Sequence, residues 1–337
     1  MAELLIRAGA LDAVLVQKML SAGPRQFRPD RLVVDAHVAC AEPGIGLAAR
    51  TAGVPFIVDP QTYYLQDVQH PADRWAQLPY ADALANTPAD VLDRRRLEAL
   101  VAGVVDHQLA AGATLIVAPY VHIERADDGW RQVQVALWRA TRRHLDQHRL
   151  SLPVLAVVAL GWRLLDRSTW PDVLDPLRGA LDVLAPIEVA LAASKVDAGA
   201  KPGERLASFI AVIRHLARRY PVIAWQQGSL GEAAVAAGAA GYECGIGWRE
   251  RCDLRAAMGS HRRASPGGSA RPVYITTLKR GIPKASVRTL LNHQGIAAGA
   301  GLSRLVVLSW WTSQPARGQS CACHPCAAAR SRARHAG

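Results

Sequence analysis

Residues 151–194 read SLPVLAVVALGWRLLDRSTWPDVLDPLRGALDVLAPIEVALAAS. Val154–Leu160 is a short apolar run rich in valine, the signature of a buried strand. Trp170–Leu184 reads as a helix, and Ile187–Ala192 as a second buried strand. A strand, a helix and a strand in this order imply two parallel strands joined by a right-handed crossover.

The same unit recurs in both directions along the chain. Upstream, Val33–Val38, Phe56–Val58 and Thr114–Ala118 read as strands. Glu42–Ala52 reads as a helix stopped by Gly53, Ala89–Ala111 as one ended by Gly112, and Trp130–His148 as a third. Downstream, Gly203–Arg219 is helical, with Leu206, Phe209, Ile210, Ile213 and Leu216 on one face. Val222–Trp225, Gly241–Gly245, Val273–Leu278 and Leu305–Leu308 are strand candidates. Gly231–Ala237, Arg249–Met258 and Ala285–His293 are helix candidates. The strand candidates number nine, so a closed (β/α)8 barrel requires that one be surplus or misplaced. An open doubly wound parallel sheet is the alternative. The barrel is preferred because no G-x-G-x-x-G turn follows the first strand candidate. The expected organisation is a TIM-type barrel over residues 1–311 and a short cysteine-rich tail over 312–337.

The chain has 337 residues and a formal net charge of +12. Arginine dominates the basic residues, which favours a polyanionic partner; an arginine-rich codon bias would give the same excess. Cys40, Cys244 and Cys252 lie far apart, so no disulfide framework is readable and a reducing cytoplasm fits. The first residues, MAELLIRAGALDAVL, do not read as a signal peptide. No apolar run approaches the ~20 residues needed to span a bilayer.

Cys321, Cys323 and Cys326 are spaced C-x-C-x-x-C. Three thiolates this close suit tetrahedral Zn²⁺, with His335 or His324 as the fourth ligand. In a barrel of this type the active site lies at the C-terminal ends of the strands. That rule selects Asp59, Tyr120, His122, Trp162, Arg163, Lys195, Asp197, Gln226, Gln227, Glu243, Arg249, Lys279 and Arg280. Asp59, ending an apolar strand, is the candidate acid or base. Gln226 and Gln227 offer paired amides suited to a base edge. His37 falls inside a strand and reads as a core histidine. Two long connections break the rhythm: the aromatic Pro60–Pro88, expected to cover the barrel mouth, and the basic Gly259–Pro272. Trp310 and Trp311 could form a stacking platform or end the last strand.

These motifs together resemble the tRNA-guanine transglycosylase superfamily, including its DNA-modifying relatives. The cysteine motif matches the start of that family's zinc motif. Gln61-Thr62-Tyr63-Tyr64-Leu65 is similar to its Asn-Thr-Tyr-His-Leu stretch, and Gly241-Tyr242-Glu243-Cys244-Gly245 to its Gly-Tyr-x-x-Gly-Gly strand. The resemblance implies zinc on Cys321, Cys323 and Cys326, for which His335 is the local candidate as fourth ligand. It implies Tyr63, Tyr64, Gln226, Gln227 and Gly245 around a purine-type base, and tRNA or DNA as partner. The family's catalytic aspartates are not matched, and its zinc histidine lies farther beyond the third cysteine than this chain extends. Three expectations follow: a transglycosylase-like protein acting on a base, an inert relative that binds nucleic acid or another partner, or an unrelated barrel enzyme acting on a small anionic metabolite.

Overall fold

The computed structural model describes residues 2–9, 12–22, 28–67, 74–81, 87–198, 201–245, 252–258, 273–275 and 280–282. The chain divides into two units, residues 1–264 and 265–337. In the first unit the strands are β1 (Glu3–Ala8), β2 (Arg31–Asp35), β3 (Phe56–Asp59), β4 (Ile116–Val117), β5 (His122–Ile123), β6 (Val154–Gly161), β7 (Glu188–Ser194), β8 (Val222–Ala224) and β9 (Gly241–Gly245). All pair in parallel, in the order β3-β2-β1-β9-β8-β7-β6-β4. β5 also pairs with β6, farther along it than β4 does. Thus β4 and β5 are two parts of one stave, and the sheet has eight.

The ends of the sheet meet at β3 and β4. Thr114 donates its amide to the Phe56 carbonyl at 2.8 Å, and the Phe56 amide donates to Thr114 Oγ1 at 3.0 Å. The result is a nearly closed barrel surrounded by helices. These include α1 (Ala13–Ala22), α2 (Ala36–Ala41), α3 (Gly44–Ala52), α4 (Pro88–Val91), α5 (Arg94–Ala111) and α6 (Trp130–Gln147). They continue with α7 (Trp170–Leu184), α8 (Pro202–Leu216), α9 (Gly231–Ala236) and α10 (Leu254–Met258). Gly53 and Gly112 end α3 and α5 in the left-handed region, at φ 67° and 78°, where a side chain would be strained.

Alternation along the staves separates two cores. Leu32, Val34, Phe56, Val58, Val158 and Leu191 face outward and pack with the helices. Leu5, Val33, Ile57, Val117, Leu155, Val157, Ala190 and Ile223 fill the barrel interior. Burying each valine- or leucine-sized side chain contributes about 1.5–3 kcal/mol.

The strand inventory differs from expectation at both ends. The first stave, β1, was absent from the sequence-based set. Val273–Leu278 shortens to β10 (Val273–Ile275), which pairs antiparallel with β11 (Arg280–Ile282) in a separate sheet. Leu305–Leu308, Ala285–His293 and the 311/312 boundary lie outside the described residues. The expected strand Val33–Val38 is shifted: β2 ends at Asp35, which caps α2, and His37 belongs to that helix.

Candidate active site at the barrel mouth

The inward positions at the C-terminal ends of β1, β2, β3 and β9 carry charge. Arg7 on β1 is 3% exposed. Its guanidinium reaches Asp35 on β2, Asp59 on β3 at 2.7 Å, and Glu243 on β9. The three acids are equally buried. Parallel register brings them together: Asp35 pairs with Asp59, and Leu5, two residues before Arg7, pairs with Glu243.

Three carboxylates around one guanidinium leave a negative excess in a dry setting. Burial pushes Glu243 up to about 7, against the pull of Arg7. Burial would lower Arg7, but Glu243, Asp59 and Asp35 outweigh it and hold the guanidinium charged. The cluster therefore keeps a cation and can hold a proton near neutrality.

Asp59 is the hub. Besides Arg7, it accepts from the Tyr120 hydroxyl at 3.0 Å, the Gln61 amide at 3.0 Å and Trp225 Nε1 at 3.3 Å. Trp225 follows β8, on the opposite side of the barrel from β3. Gln61 Nε2 donates to Asp35 at 2.9 Å, and Trp75 Nε1 donates to Gln61 Oε1 at 3.0 Å.

A roof lies over this cluster. Residues Thr62–Gln66 form a 3-10 turn whose first four members are buried. Tyr63 stacks on Tyr64 at 4.6 Å, and Tyr64 on Trp75 at 3.9 Å. Cys252, Leu254 and Met258 join the same interior cluster, and α10 packs against the turn. Burial raises the hydroxyl pKa of Tyr63 and Tyr120, so both stay protonated.

The turn is fastened to the wall by side chains that imitate a strand. Thr62 Oγ1 donates to the Tyr120 carbonyl and accepts the Tyr120 amide at 2.8 Å. Gln66 accepts the His122 amide at 2.6 Å and donates to the His122 carbonyl at 2.9 Å.

The far side of the mouth is basic. Arg163 follows β6, Lys195 follows β7, and Arg255 lies on α10. Arg163 is 3.4 Å from Glu124, and Lys195 is 3.7 Å from Asp253. Arg205 on α8 stacks over the Trp162 ring at 3.6 Å. Three non-glycine residues just past the strand ends adopt left-handed backbone: Gln61, Lys195 and Gln226, at φ 46°, 62° and 57°. Backbone strain of this kind concentrates at functional sites.

The expected site residues separate into groups. Asp59, Tyr63 and Tyr64 belong to the buried cluster and its roof. Gly245 ends β9 opposite Arg7. Gln227 is committed to the backbone, donating to the carbonyls of Ala193 at 3.0 Å and Trp225 at 3.2 Å. Gln226 is half-buried, and its Nε2 finds no partner among the described residues. Cys321, Cys323, Cys326, His335, Trp310, Trp311, Arg249 and Lys279 lie outside the described residues. Among the described residues, no group of three or more His, Cys, Asp or Glu side chains is arranged to hold a metal ion. No helix among them is long and apolar enough to cross a membrane. Sequence reasoning passed over Arg7 and Asp35, which follow no recognised motif.

No family model and no curated protein matches the chain. Similar solved structures include an oxaloacetate acetylhydrolase in complex with the product oxalate. That likeness has 14% identity over 89% of this chain and 93% of the other, with a TM-score of 0.42. A 2,3-dimethylmalate lyase of the PEP mutase/isocitrate lyase superfamily is 15% identical over 93% and 94%, with a TM-score of 0.40. A putative phosphonomutase from Burkholderia cenocepacia J2315 is 14% identical over 72% and 86%, with a TM-score of 0.39. At this level no residue role passes from them to this chain. None of the three is a transglycosylase, and the resemblance read from short motifs is corrected accordingly, together with tRNA or DNA as partner. The geometry agrees with the correction: Tyr63 and Tyr64 are spent on the roof, and Gln227 is bonded to backbone instead of being open to a base.

Proposed function

We propose that this protein is a barrel enzyme acting on a small anionic metabolite at the C-terminal mouth. One arrangement supports the reading: Arg163, Lys195 and Arg255 lie on the far side of the mouth from a buried carboxyl, Glu243, whose pKa is pushed to about 7. Cations attract an anion to the mouth, and a group that titrates near neutrality suits proton transfer. Buried ion clusters are poor investments in stability alone, which favours a chemical role for this one. Among the described residues the roof of Tyr63, Tyr64, Leu254 and Met258 is buried with the barrel interior, which suits a small ligand better than a polymer. Within this reading Asp59 orders the cluster, and Gln226 faces the ligand.

Calorimetric titration at low ionic strength with malonate, citrate and glycerol phosphate tests the proposal. At least one should bind saturably, and the Arg163→Gln/Lys195→Gln double variant should weaken it at least tenfold. Absence of binding by all three would overturn the reading.

For the tail, the C-x-C-x-x-C spacing supports zinc on Cys321, Cys323 and Cys326, with His335 completing the shell. A reducing compartment, the cytoplasm, fits Cys40, Cys244 and Cys252, none of which forms a disulfide among the described residues.

A further inference from the structure

His122 holds a place in the mouth apart from the Arg7 cluster. It pairs with Ala159 of β6, and Ala159 faces the barrel interior, so His122 faces inward too. It is 2% exposed. Its Nε2 lies 2.9 Å from Glu124 Oε2. Its Nδ1 is buried and has no hydrogen-bond partner among the described residues. A buried polar atom left unpaired costs about 1–3 kcal/mol, so an inward-facing one needs an explanation.

The surroundings preserve this pair. Glu124 stands two residues on, above Gly161 of β6. A Cβ at Gly161 would fall 2.7 Å from Glu124 Oε2, so only glycine leaves the carboxylate its place. The hydrogen bond from His122 holds the Glu124 carboxyl below the usual range despite its partial burial, with help from Arg255 and Arg163. Glu124 is therefore a carboxylate and accepts from Nε2–H. With Glu124 accepting at Nε2, a neutral His122 ring would carry its lone pair on Nδ1. A carboxylate that holds an imidazole through one ring nitrogen leaves the other nitrogen to act as a base.

We infer that His122, held by Glu124, is the group that takes a proton from the anionic substrate through Nδ1. The inference rests on the proposed function and names the base within that site. In the step, the substrate's C–H or O–H bond breaks and its proton forms a new N–H bond at Nδ1. The electron pair stays on the substrate as an enolate or alkoxide beside the Arg163 rim. The imidazolium is neutralised by Glu124, and Nδ1–H returns the proton to the product.

Long-range ¹H–¹⁵N spectra of the full chain, uniformly labelled with ¹⁵N, test this, with His122→Gln assigning the histidine resonances. In the neutral imidazole the expected spectrum shows a protonated Nε2 and a bare Nδ1. A saturating anion, whichever of malonate, citrate or glycerol phosphate binds, should shift Nδ1, and Glu124→Leu, which removes the acceptor, should remove the tautomer preference. A neutral ring with its proton on Nδ1, or a preference unchanged in Glu124→Leu, would overturn the dyad. The indole signals of Trp75 and Trp225 distinguish the remaining failures. If one of the three anions moves them and leaves His122 untouched, anion binding stands and the histidine assignment falls. If none of the three moves anything, both readings fall.

Discussion

Arg31 of β2 and Glu188 of β7 join across the N-terminal end of the barrel, with Arg31 Nη2 3.0 Å from Glu188 Oε2. Their strands stand on opposite sides of the sheet order, and their positions in sequence are 157 residues apart. Arg31 also pairs with Glu3 of β1. The barrel is thus sealed by an ionic layer below, filled by aliphatic side chains, and charged again above.

Removing Glu188 leaves the partly buried Arg31 with the more exposed Glu3 as its remaining ion-pair partner. Glu188→Ala should cost about 2–3 kcal/mol of unfolding free energy. The double variant Arg31→Leu/Glu188→Leu should recover most of that loss. Urea denaturation midpoints of the three proteins check the order.

Glu243 gives a pH signature. Its folded pKa, about 7, lies above the ordinary carboxylate value of 4.5. Between those values the folded state holds a proton that the unfolded chain has released, so this group's contribution to stability falls as pH rises from 4.5 to 7. The slope for one proton is at most ~1.4 kcal/mol per pH unit. Glu243→Gln should lack this decline. Unfolding free energies of wild type minus variant, measured from pH 4.5 to 7.5, should trend downward; a flat difference would refute the assignment.

Asp59→Asn retains shape and removes the charge that Arg7, Tyr120 and Trp225 address. With one carboxylate gone from a buried network, stability should drop by about 2–4 kcal/mol. The variant should still fold, because Asp35 and Glu243 continue to neutralise Arg7. Guanidinium unfolding gives the loss, and malonate affinity tells whether the charge also matters to binding.

Purified full-length protein should carry about one zinc per chain if the tail thiolates bind as their spacing suggests. Elemental analysis together with alkylation of Cys321, Cys323 and Cys326 decides this. Metal-free protein with all three thiols reactive would remove zinc from the account.

The barrel class was legible because most staves are apolar on both faces. β1 was not, for a physical reason. Glu3 and Arg7 point into the barrel, so its ionic residues occupy positions where a core strand is expected to be apolar, and Glu3-Leu-Leu-Ile-Arg7 gives no clean period. Thr114–Ala118 covered β4 alone and β5 was missed, since the break between them is bridged by Thr62 and Gln66 from a distant loop. Rules for strand ends placed Asp59, His122, Arg163, Lys195 and Glu243 among the candidates. They could not tell that Arg7 would gather Asp35, Asp59 and Glu243 from 28, 52 and 236 residues away. Short motifs misled most where their residues had packing roles: Tyr63 and Tyr64 are sheltered by each other, by Trp75 and by Tyr120.

Because Thr62 and Gln66 complete the backbone bonding of Tyr120 and His122, the cover of the mouth and one stretch of its wall form a single cooperative unit. Solvent cannot reach the interior by lifting that turn without also freeing two wall amides. Deuterium uptake at Tyr120 and His122 therefore serves as a clock for the opening of the mouth, readable without any substrate in hand.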